Sequence, residues 1–137
     1  MNAQTLESVR PSLIQLLTAL LDAERIEREK AQGRLPAGAW LAIVLDDETL
    51  AWLRPLSRLI AGLDHAMAEA VKNEAPLAPE AVLEFVSEAR RFLTPGPRYL
   101  DLLQAHPTVV LAHRDAVKSL PPLPGGPTHA PSDSIAP

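Results

Sequence analysis

Apolar residues return every three or four positions near the start of this chain, at Leu6, Val9, Leu13, Leu16, Leu17, Leu20 and Leu21. That spacing puts them on one side of an α-helix, whereas a strand would scatter them over both faces. A helix with such a stripe needs other helices to cover it. Almost half of the 137 residues are hydrophobic, which is enough for a core. Leu, Ala, Val and Ile dominate and aromatics are few, a mix that favours helices over sheets.

Breakers divide the remainder. The first helix is expected over Leu6–Gln32, with Pro11 a candidate for its true start and Gly33 and Pro36 as its stop. Its second half, Asp22 to Lys30, is nearly all charge, with Glu24–Arg28 and Arg25–Glu29 one turn apart. Ala37 to Leu45 reads as a short apolar helix. Asp46 or Asp47 then caps a long helix, Glu48–Lys72, with a kink or break expected near Arg54 because Pro55 lies inside it. Asn73 to Pro79 is a linker. Further helices are expected from Pro79 to Thr94, from Arg98 to Ala105 and from Pro107 to about Ser119. After Leu120 the composition shifts: prolines stand at 121, 122, 124, 127, 131 and 137, beside Gly125-Gly126. Such a segment buries too little to offset its ordering entropy and reads as a disordered tail. The expectation is therefore one antiparallel all-α bundle of five or six helices over residues 1–119, with a tail over 120–137.

Several functions lose support. The net charge of −4 does not suit neutralisation of phosphates, so nucleic acid is not an expected partner. No cysteine is present, which removes disulfides, thiolate metal sites and cysteine nucleophiles, and fits a cytoplasmic protein. Met1 to Arg10 lacks the pattern of a signal peptide, and no run reaches the ~18 apolar residues of a membrane span. There is no phosphate loop, dinucleotide fingerprint or nucleophile elbow, so no cofactor is expected. His65, His106 and His113 form no Glu-x-x-His or His-x-x-x-His pair, and no metal site is expected. His113-Arg114-Asp115 copies a kinase tripeptide without the rest of the kinase set. Glu80, Glu84 and Glu88 read as a solvated face with Glu88 near Arg91.

Charged residues between the two long helices carry the remaining interest. Arg54 and Arg58, one turn apart, can grip a carboxylate or phosphate, or can pair with Asp22 or Glu24 to hold two helices in register. Ser57 and Asp64 share a stripe with Leu53 and Ile60, and if buried they need a partner such as Arg25. With His65 these residues are the candidates for a ligand site or a polar network. Trp40 and Trp52 are interface candidates. Leu120-Pro121-Pro122-Leu123-Pro124 favours polyproline II and can dock in an aromatic groove.

Three further stretches are Leu20-Leu21-Asp22-Ala23-Glu24-Arg25, Ala51-Trp52-Leu53-Arg54-Pro55-Leu56-Ser57, and Arg98-Tyr99-Leu100-Asp101 with Val109-Val110-Leu111-Ala112-His113. Together they resemble a family of small helical bacterial proteins to which no activity is assigned. The resemblance runs to about Ser119. It implies a bacterial helical protein and brings no chemistry with it. The leading functional expectation is a non-enzymatic protein that associates with itself or with a protein partner. The alternative is a bundle that binds an anion, metal or small ligand between its long helices, with or without catalysis.

Overall fold

The computed structural model describes residues 3–121, with side chains from residue 6 onward. Six α-helices follow one another in these residues: α1 (Ala3–Gln32), α2 (Ala37–Asp46), α3 (Arg54–Lys72), α4 (Pro79–Leu93), α5 (Pro97–Ala105) and α6 (Pro107–Ser119). A 3-10 segment, Glu48–Leu53, leads into α3. The described residues contain no strand, and the chain is an all-α helical bundle.

Proline sets most of the boundaries. Helices α3 to α6 each carry one in the first turn, where its missing N–H costs nothing and its fixed φ suits the helix. The long helix expected over Glu48–Lys72 is accordingly broken, with α3 starting at Arg54 beside Pro55. Pro11 behaves differently. It lies inside α1, which already begins at Ala3. Leu6 and Val9, in the turns before it, are fully buried, and their burial offsets the lost hydrogen bond. Gly33 closes α1 with φ of 87°, a left-handed conformation that strains any side chain, and its N–H reaches the Glu29 carbonyl.

The core follows the leucine stripe. Leu6, Val9, Leu13, Leu16 and Leu20 are all buried on α1. The largest partner of α1 is α6, and α3 comes second. Val109, Ala112 and Ala116 explain that order: small residues at helical spacing let the backbone of α6 approach closely. Leu56, Leu59, Ile60 and Leu63 of α3 and Val82, Val86, Ala89 and Leu93 of α4 complete the centre. Val71, Val110 and Val117 are exposed. No described helix is long and apolar enough to cross a membrane.

Residues 122–137, and with them most of the expected tail and of the polyproline segment, lie outside the described residues. Leu120 does not behave as tail. It is buried in the core, and Arg90 donates to the carbonyl of Pro121. Ending the chain at Ser119 should therefore cost about 2 kcal/mol more stability than ending it at Pro121, roughly the value of one buried leucine. Urea denaturation of the two truncated chains measures this difference, and equal midpoints would show that Leu120 contributes nothing.

Candidate functional site

The stripe on α1 does not end with its last leucine. Continued at the same spacing beyond Leu20, it meets Ala23, Glu24 and then Glu27. Glu24 is accordingly only 6% exposed. A carboxylate in that position needs partners, and it has three bonds. Arg98 donates from Nε to Oε2 at 3.0 Å and from a terminal nitrogen to Oε1 at 2.5 Å. The Trp52 indole N–H donates to Oε2 at 2.8 Å. The Arg98–carboxylate pair is bidentate, the geometry that fixes orientation best. Glu24 also raises the pKa of Arg98 through that hydrogen bond, so the guanidinium stays charged.

Local sequence delivers each donor. Trp52 sits in the 3-10 segment that Asp47 caps, its carboxylate accepting from the Thr49 N–H at 2.8 Å. Arg28 of α1 holds the same segment, donating to Asp47 at 3.0 Å and to the Thr49 hydroxyl at 2.6 Å. The bonds from Thr49, and next Arg28, hold the Asp47 carboxyl below its usual range. On the opposite side, Pro97 starts α5 and places Arg98 and Tyr99 in its first turn.

Three aromatic rings gather beside this node. Trp52 and Phe92 lie parallel, 6.1 Å apart at 3°. Tyr99 is tilted against both, at 5.8 Å and 5.6 Å. They line a cleft of about 380 Å³, with Pro55 and Leu59 on one wall, Pro97 on the other, and Glu88, Arg91 and Arg98 around it. A polar basin shares Trp52 and Arg98 with the cleft and adds Glu24, Glu27, Arg28 and Thr49. The surface is apolar and aromatic with paired charges at its edge, suited to holding a flat or proline-rich apolar group.

Two histidines brace the site from behind. His106 is buried, with Nε2 2.7 Å from a Glu27 oxygen. Lys30 and then His106 hold the Glu27 carboxyl below its ordinary value. His113 Nδ1 lies 2.6 Å from the Tyr99 hydroxyl, with the rings edge to face. Burial raises the Tyr99 pKa, so the phenol keeps its proton beside the His113 ring. Burial lowers the pKa of His113 in turn.

The other residues singled out from the sequence are dispersed. Asp22, Ser57 and Arg58 are exposed. Arg54 lies 3.7 Å from Glu48 and does not meet Glu24. Asp64 is exposed and pairs with Arg10, which it holds charged. Arg25 donates to the Leu35 carbonyl at 2.7 Å and lies 3.5 Å from Glu29, the pair its spacing anticipated. His65 is exposed, two turns before the end of α3. Ser57 and Asp64 escape burial because the buried face of α3 runs Leu56, Leu59, Ile60, Leu63. Glu88 pairs with Arg91, as the spacing anticipated. Among the described residues no group of three His, Asp or Glu could hold a metal ion.

Helix α2 presents a further apolar surface. None of its ten residues is buried, and it makes only slight contact with the other helices. Leu41 is 57% and Leu45 65% exposed, and Trp40 is half-buried. Comparison with protein-family models, with curated proteins and with solved structures gives no significant match.

Two outcomes follow. Arg98→Ala strips the buried carboxylate of its main partner and should cost about 2 kcal/mol. The double variant with Glu24→Gln should cost less than the two singles together, by about 1 kcal/mol, in a urea-denaturation cycle; strict additivity would mean that the pair is not coupled. The second concerns pH. A histidine with a lowered folded pKa favours folding above its unfolded value of about 6.5, and that contribution is lost as pH falls through the folded pKa. Between pH 7 and 5 the wild type should lose stability relative to His113→Gln, whereas parallel pH profiles would contradict the assignment.

Proposed function

We propose that this chain is a non-enzymatic helical module that associates with a second copy of itself through α2. The observation behind this reading is that an almost wholly apolar helix leaves no side chain in the core of its own chain. Ten residues form only a marginal helix in water, so α2 needs a covering surface to hold it. Ala37 to Leu45 carries no charge, which permits the same face on two copies to meet about a two-fold axis without like-charge repulsion. Trp40, Leu41 and Leu45 supply the large side chains that anchor interfaces. Residence in the cytoplasm belongs to the same reading, since the absence of cysteine suits a reducing compartment.

Light scattering after size exclusion, over a dilution series from about 200 to 2 μM, tests it. The wild-type mass should fall from two copies towards one, while Leu41→Glu/Leu45→Glu stays at one copy with an unchanged circular dichroism spectrum. A wild type that is a single copy throughout would overturn the reading.

A further inference from the structure

The rings that line the aromatic cleft have their polar atoms engaged elsewhere. The Trp52 indole N–H is held by Glu24, the Tyr99 hydroxyl lies on His113 Nδ1, and Phe92 has no polar atom. The three rings therefore offer the cleft hydrocarbon alone. Trp52 and Phe92 are parallel within 3°, an arrangement that a further flat ring can join. The charged groups on the lining are Glu88, Arg91 and Arg98, two guanidiniums to one carboxylate. Glu88 is paired with Arg91. Glu24 belongs to the adjoining basin, and it takes only Nε and one terminal nitrogen of Arg98. The other terminal nitrogen makes no bond among the described residues, and the Arg98 side chain is 42% exposed. The cleft thus has donors to give, while its one carboxylate already has a partner.

We infer that the cleft binds a planar aromatic carboxylate of one or two rings. The ring lies against Trp52 and Phe92, and the carboxylate meets Arg98 and Arg91. Aromatic faces favour a flat π system over an aliphatic body, because the edge and face of such rings carry opposite partial charge. A guanidinium suits the two oxygens of a carboxylate. A cationic head would meet two arginines, and a purely apolar ligand would cover the spare donor of Arg98 without pairing it. The volume of about 380 Å³ lies near the lower end of ligand pockets, roughly 300–1,000 Å³, which suits one or two rings. No residue of α2 lines the cleft, so this site is separate from the self-association surface.

The test follows the two indole N–H signals of the isotope-labelled full chain by nuclear magnetic resonance as ligand is added. Trp52 reports on the cleft and Trp40 on α2. Naphthoate should shift the Trp52 signal saturably, with a Kd of about 0.1–1 mM, and leave Trp40 in place. Naphthalenemethanol, which lacks the charge, and cyclohexanecarboxylate, which lacks the flat ring, should each bind at least about fivefold more weakly. Arg91→Gln, at an exposed position, should weaken naphthoate about threefold and leave the alcohol unchanged. Phe92→Leu should weaken both. A Trp52 signal that stays fixed up to about 5 mM naphthoate would overturn the proposal, as would Trp40 responding in its place. So would equal affinity for the acid and the alcohol. A Trp52 signal that moves on dilution of the chain without ligand would assign the cleft to a second copy and overturn the proposal as well.

Discussion

A buried carboxylate is the constraint around which this bundle is arranged. Glu24 occupies a position that the leucine stripe of α1 assigns to the interior, where an unpaired charge would be very costly. Satisfying it takes residues from two distant parts of the sequence: Trp52 from the turn before α3 and Arg98 from the start of α5. Replacing such a pair by hydrocarbon is often neutral or stabilising, so its contribution lies in position more than in net stability. Beside the two donors, Trp52 and Tyr99 lie against each other and Phe92 completes the group. The cleft these rings line shares Trp52 and Arg98 with the basin around Glu24.

Around that node, polar contacts fall in layers. Arg28 and Asp47 hold the 3-10 segment, Glu27 and His106 tie α1 to the junction of α5 and α6, and His113 holds Tyr99 from the far side. Helix α2 shares in none of this. It is joined to α1 by a loop whose Leu35 backbone is held by Arg25 and Glu29, and its apolar residues remain outside the centre. The chain thus gathers its polar contacts around one carboxylate and leaves the residues of a hydrophobic helix unburied.

Much of the fold could be read from the residues because local signals decide it. Pro79, Pro97 and Pro107 mark helix starts whatever the tertiary context, and Gly33 marks an end. Pro55 breaks its helix where its chemistry requires. The local rule failed at Pro11, where burial of Leu6 and Val9 outweighs one missing hydrogen bond. The site was legible only in part. Glu24 and Trp52 stood among the candidates, yet the arginine that meets Glu24 is Arg98, 74 positions away, and not Arg54. Charge alone does not distinguish those two arginines; the distinction arises when α5 packs against α1. The one available signal was the stripe itself, which, carried past Leu20, places Glu24 and Glu27 facing inward.

Proton exchange of the two indole N–H groups, followed by nuclear magnetic resonance in dilute solution, tests the central claim most directly. One indole, assigned to Trp52 by its disappearance in Trp52→Phe, should exchange far more slowly than that of Trp40, and Glu24→Gln should speed it. Indoles that exchange at the same rate, or a Trp52 signal indifferent to residue 24, would contradict a bundle organised on this carboxylate.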